Sequence, residues 1–132
     1  MKILFICKYN RFRSKVAEAL FNKYNKNKVH EAKSAGVIVD IIRPFVSQII
    51  VVELSKMRAE VAEEKSQQVN DSLIEWADKI IIVADNVPVE LFPREKSEVW
   101  PVKDASELDV ESTRRSMKDI DKRMKEFVKK IN

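Results

Sequence analysis

The sequence predicts an α/β fold, a three-layer α/β/α domain around a four-stranded parallel sheet. Two observations carry that expectation. Short runs of apolar, strand-forming residues recur along the chain, and residues 3–6 and 80–83 are apolar without interruption. Such runs suit strands covered on both faces, as in parallel sheets. Between them lie longer stretches whose apolar residues recur at helical spacing. The 132 residues suffice for one hydrophobic core, and no linker, internal repeat or low-complexity segment divides them. A single domain over residues 1–132 is therefore expected.

Each element has its own signal. Lys2-Ile3-Leu4-Phe5-Ile6 reads as the first strand. After a polar gap, Ser14 suits the N-cap of a helix, with Glu18 close behind. Val16, Ala17, Leu20, Phe21 and Tyr24 then share one face, and the Asn- and Lys-rich stretch 22–28 ends it. Residues 29–35 form the expected second strand, stopped by Gly36. Pro44 suits the start of the next helix, running to about Met57 with Phe45, Ile49, Val52 and Leu54 on its apolar side. Residues 58–75 are charged and read as short helical pieces. Residues 79–84 are the clearest strand. A helix is expected after Asp85, with Pro88 near its start and Pro93 near its end. Residues 98–102 make the fourth strand. In the last helix Val110, Met117, Ile120, Met124, Phe127, Val128 and Ile131 line up as one stripe.

Composition excludes several function classes. One cysteine rules out an intrachain disulfide framework and a multi-cysteine metal site, and one histidine cannot build a His-rich centre. One glycine rules out the Gly-rich nucleotide loops. No stretch approaches a membrane span, and the apolar run 3–7 is too short for a signal-peptide core. The expected setting is cytoplasmic, with the thiol reduced. The net charge of +4 is segregated: residues 1–28 carry +7, residues 29–113 carry −8 and residues 114–132 carry +5. A basic N-terminal segment suits an anionic ligand. Nucleic acid is not the expected one, because basic and aromatic residues do not interleave and no binding motif is present.

Chemistry concentrates in Cys7-Lys8-Tyr9-Asn10-Arg11-Phe12-Arg13-Ser14, between a strand and a helix. In parallel α/β sheets ligands bind beyond the C-terminal ends of the strands, where this turn lies. A helix N-terminus, oriented amides and a nearby guanidinium favour thiolate over thiol. Backbone N–H groups of such a turn can enclose a phosphate, Arg13 can hold two of its oxygens, and Ser14 can donate to the sulfur. These parts suit nucleophilic attack on phosphorus.

The segment resembles the phosphate-binding loop of the low-molecular-weight protein tyrosine phosphatases, C-x-G-N-x-C-R-S. Ser34-Ala35-Gly36, Lys65-Ser66-Gln67-Gln68-Val69, residues 76–82 and Val99-Trp100-Pro101-Val102-Lys103-Asp104 extend the likeness over nearly the whole chain. The resemblance implies that Cys7 is the nucleophile and forms a phosphocysteine. It implies that Arg13 and the loop amides of Lys8, Tyr9, Asn10, Arg11 and Phe12 bind the phosphoryl oxygens, with Ser14 beside the sulfur. Asp104 would be the general acid, with Asp109 the alternative, and Asn10 would brace the loop through Ser34. No metal or organic cofactor is implied. The implied substrate is a phosphorylated protein or a small aryl phosphate, with inorganic phosphate and other oxyanions as inhibitors.

Three departures stand out. Tyr9 replaces the loop glycine, at a point where an unusual backbone angle is expected, although Asn10 tolerates such angles better. Phe12 replaces the second loop cysteine, and Ala105 replaces the proline after the acid. Two other functions compete with phosphatase activity. Arsenate reductases of related fold relay electrons through two further cysteines, so this chain would need an external thiol. A phosphate-binding module without turnover would fit Tyr9 and Ala105. Residues 37–42 are unusually apolar for a segment beside such a site, suiting burial, a pocket wall or self-association.

Overall fold

The computed structural model describes all of residues 1–132. Four parallel strands, β1 (Lys2–Cys7), β2 (Glu31–Gly36), β3 (Lys79–Val83) and β4 (Ser97–Trp100), form one sheet in the order β2-β1-β3-β4. The helices are α1 (Arg13–Tyr24), α2 (Gln48–Lys56), α3 (Asp71–Trp76) and α4 (Val110–Ile131). No helix is long and apolar enough to cross a membrane.

Strand alternation explains the three layers. Ile3, Phe5, Ile81 and Val83 enter a core shared with residues of α1, α2 and α4, whereas Leu4, Ile6, Ile80 and Ile82 enter a second core with Leu73 of α3. Period-two alternation thus supplies apolar side chains to both faces of β1 and β3, as their unbroken apolar runs predict. On the larger side, Phe5 packs against Phe21 and Trp100, and Trp100 meets Phe127 edge-on with centroids 5.8 Å apart. Trp100 is therefore a core residue.

Several expected boundaries move, for local reasons. α1 starts at Arg13 with Phe12 at its N-cap, so Ser14 lies inside the helix. Val29 is exposed and β2 begins at Glu31. Pro44 does not open α2. Its carbonyl accepts from Ser66 N, Phe45 bridges Lys65 and Val46 N donates to Glu64 O, so residues 44–46 stay extended until Ser47 takes the N-cap position before Gln48, its side chain making no cap bond. Phe45 and Val52 are consequently exposed, while Val46, Ile50 and Leu54 are buried. Between residues 58 and 75 only α3 is helical. Instead of a helix between Pro88 and Pro93, two single 3-10 turns form, Val89–Leu91 and Arg94–Lys96, one after each proline. The interval is too short to nucleate an α-helix. β4 ends at Trp100, and Val110 at the start of α4 is exposed.

Candidate active site

β1 delivers Cys7 to the C-terminal edge of the sheet, and residues 8–12 turn from there into α1. Cys7 is 2% exposed, and its Sγ lies 2.9 Å from the Oγ of Ser14, the second residue of α1. The turn's left-handed residue is Asn10, with φ 53°, and Tyr9 keeps a negative φ. The expected strain at Tyr9 is therefore absent. The positive angle falls on a residue whose short polar side chain tolerates it.

Asn10 is fully buried and braces the turn from behind. Its Nδ2 donates to Ser14 Oγ at 2.7 Å and Ser34 Oγ at 3.1 Å, and its Oδ1 accepts from Gln67 N at 2.9 Å. Ser66 Oγ donates to Asn10 O. Ser34 in turn donates to Glu18 Oε1 at 2.6 Å. Burial pushes the Glu18 carboxyl above its ordinary range, against the Ser34 bond and the Lys15 charge. Burial likewise pushes Lys15 down, although its Nζ donates to the carbonyls of Glu63 and Lys65. Polar groups this deep need partners, and here nearly all have them. Ser47 Oγ is the one buried side-chain polar atom without one.

Arg13 is also buried and is held in place before any ligand arrives. Its guanidinium donates to Val102 O at 3.0 Å, Asn86 Oδ1 at 2.9 Å and Asp85 Oδ1 at 3.3 Å. Asp104 Oδ2 lies 3.7 Å from Arg13 Nη2. Asp85 and Asn86 follow β3, and Asp104 follows β4, so three strand ends converge on one arginine. Asp85, Asn86, Glu18 and Gln67 had no place in the site as read from the sequence. The one available signal was that residues 84–86 directly follow an apolar strand, at the ligand-binding end of the sheet.

A cleft of about 510 Å³ opens over this region. Cys7, Tyr9, Arg11, Phe12, Arg13 and Asp104 all line it, with Asp40, Arg43 and residues 105–108 around its mouth. Asn10 and Ser14 stand behind the loop instead. Lys8 leans on the Tyr9 ring, with Nζ 5.1 Å from the centroid, and does not line the cleft. Asp109 is occupied elsewhere. It caps α4, accepting from Ser112 N at 3.1 Å, and that bond holds its carboxyl below its ordinary range. Within the apolar segment 37–42, Ile38, Ile41 and Ile42 are exposed rather than buried.

A cysteine at a strand end, a turn into a helix and a buried arginine at the helix start place the chain in a class whose solved members include phosphatases and arsenate reductases. Within that class the assignment is firm. Residues 2–132 match the family described as low molecular weight phosphotyrosine protein phosphatase, and the chain belongs to that family. Solved structures agree on the fold. An arginine phosphatase, YwlE, from Geobacillus stearothermophilus is 23% identical over 98% of this chain and 92% of its own, with a TM-score of 0.85. A low molecular weight protein tyrosine phosphatase from T. tengcongensis is 23% identical over 98% and 99%, with a TM-score of 0.84. An arsenate reductase from Archaeoglobus fulgidus is 28% identical over 96% and 98%, with a TM-score of 0.79. No curated protein sequence matches the chain.

Proposed function

We propose that the protein is a phosphatase that hydrolyses aryl phosphate monoesters, phosphotyrosine among them, through a phosphocysteine. One observation carries the reading: Cys7, Arg13 and Asp104 line a single cleft, with Asp104 paired to Arg13 rather than serving as a cap. In the first step Cys7 Sγ attacks phosphorus, the P–O bond to the phenol breaks, and the leaving oxygen takes the proton of Asp104. In the second, water loses a proton to Asp104 and attacks phosphorus. The S–P bond breaks and phosphate leaves. Arg13 and the loop amides stabilise charge on the equatorial oxygens throughout. Because Arg13 is already held by three acceptors, little reorganisation accompanies binding.

Replacing Cys7 with Ser tests the reading. Turnover of p-nitrophenyl phosphate should vanish while phosphate binding remains measurable. Full activity in that variant would refute the mechanism. Asp104→Asn should slow phenyl phosphate far more than dinitrophenyl phosphate, whose leaving group needs little protonation.

The likeness to the archaeal arsenate reductase supports a second reading, arsenate reduction completed by an external thiol. The chain has one cysteine, so no internal disulfide can form. Arsenate-dependent thiol oxidation faster than phosphate-ester hydrolysis would favour it.

A further inference from the structure

We infer that Glu107 is a positioning residue that latches the loop carrying Asp104 across the cleft onto the phosphate loop. The inference rests on the reading of Asp104 as the general acid. Residues 101–109 join β4 to α4 without helix or strand, with Asp104 near the middle. From Lys103 on, the loop is tied on its own side only to α4: Ser116 Oγ donates to Lys103 O at 2.7 Å, and Thr113 Oγ1 to Ser106 O at 3.4 Å. No proline follows Asp104 to stiffen it, and Leu108 is 96% exposed.

Two side chains of the loop reach across. Asp104 faces Arg13 at 3.7 Å. Glu107 takes the Nη1 of Arg11 on one oxygen and faces Arg43 Nη1 at 3.7 Å with the other. Arg11 is itself held, and Arg43 has one further carboxylate beside it. Arg11 Nε donates to Phe45 O at 2.9 Å, and Arg43 lies 3.6 Å from Asp40. A lone exposed ion pair contributes little. Here one carboxylate is gripped by cations from two segments, and the Arg11 side chain is only 12% exposed. Glu107 sits three residues from Asp104, one short span of chain. Fixing it limits how far the acid can swing from the leaving oxygen. A stiffness that proline would have built into the backbone is supplied by charge.

Charge also gives the latch a signature. Glu107 neutralises part of the Arg11 and Arg43 charge at the cleft mouth. Glu107→Gln therefore loosens the acid loop yet makes the cleft more positive. A variant damaged in its fold would lose both proton donation and anion binding.

The experiment compares wild type, Glu107→Gln, Glu107→Asp, Asp104→Asn and the Asp104→Asn/Glu107→Gln double variant. Each is assayed for kcat/KM on phenyl and dinitrophenyl phosphate and for inhibition by inorganic phosphate. Glu107→Gln should lower kcat/KM for phenyl phosphate about three- to fivefold, the upper end of what a partly exposed ion pair contributes. Dinitrophenyl phosphate should change by less than about twofold, on the same scale of effect. Phosphate inhibition should be unchanged or tighter, Glu107→Asp should recover part of the loss, and the double variant should match Asp104→Asn alone. Equal losses on both esters, weaker phosphate inhibition, or a further loss on the Asp104→Asn background would overturn the latch. So would Glu107→Gln behaving as wild type while Asp104→Asn shows its leaving-group dependence, and then the reading of Asp104 stands. An Asp104→Asn variant with no such dependence overturns both.

Discussion

Replacing the only glycine, Gly36→Ala, should damage a loop in which it has no part. At an ordinary backbone angle this substitution stabilises by about 0.4–1 kcal/mol, because alanine restricts the unfolded chain. Gly36 has no positive φ, so backbone strain does not oppose the gain. Space does. A Cβ on Gly36 would stand 2.8 Å from both Asn10 N and Tyr9 C, and 3.0 Å from Lys8 O. All three atoms are backbone of the turn between β1 and α1, so no side chain can swing aside. β2 is held in place by pairing of Gly36 with Cys7 and by bonds from Val37 N to Cys7 O and Ile38 N to Lys8 O. Relief to ordinary contact requires the loop to retreat by about half an ångström, at an overpacking cost of ~1–3 kcal/mol. Offset by the unfolded-state gain, the net loss is about 1–2 kcal/mol, a fall in Tm of roughly 4–8 °C for a domain of this size. Misplacing loop amides on this scale should lower turnover about ten- to hundredfold. Thermal unfolding, p-nitrophenyl phosphate turnover and phosphate binding read all three. A variant as stable and active as wild type would show that the contact between β2 and the loop is slack.

Three other outcomes follow from the same geometry. Asn10→Ala strips partners from Ser14, Ser34 and Gln67 N and should destabilise by about 2–4 kcal/mol in denaturant titration, with Asn10→Gly about 1 kcal/mol milder because φ is positive there. Glu53 is pulled down to about 2, first by the hydrogen bond from Arg114 and then by that from Lys56. Its folded value lies below its unfolded one, so its contribution is present above about pH 4.5 and is lost as pH falls toward 2. Glu53→Gln should therefore cost about 1–2 kcal/mol at neutral pH, discounted because both partners are half exposed, and should flatten the acid limb of the stability curve. Tyr24 is raised to about 12 by burial and by its bond to Asp121. Its contribution is present below pH 10 and is lost as pH rises through 12, so the phenolate absorbance that titrates last should disappear in Tyr24→Phe.

What could be read from the sequence was what depends on near neighbours. Unbroken apolar runs placed β1 and β3 in a doubly covered sheet, and the long stripe of α4 fixed its buried face. The strand–cysteine–turn–helix order located the turn between β1 and α1 that lines the cleft. What failed depended on remote partners. Pro44 carries a helix-start signal, but its carbonyl is claimed by Ser66, and the extended pairing of residues 44–46 won. Ser14 has the chemistry of a cap, yet the fold needed it inside the helix, against Cys7. Asp85 and Asn86 carry only the weak signal of following an apolar strand. They meet Arg13 because β3 lies beside β1, an adjacency that pattern alone does not specify.

The hydrogen-bond direction behind Cys7 follows from one such remote partner. Gln67 N is a backbone donor and cannot be reversed, so Asn10 must present Oδ1 to it and Nδ2 to the two serines. Both serine oxygens then accept from Asn10. Ser34 spends its one proton on Glu18. Ser14, already accepting from Asn10, has its proton free for Cys7 Sγ, 2.9 Å away. Gln67 itself is set by Gly36, whose N–H donates to Gln67 O at 2.7 Å. The glycine missing from the loop acts from β2: it lets the loop pass close and holds the segment that fixes the amide behind the cysteine.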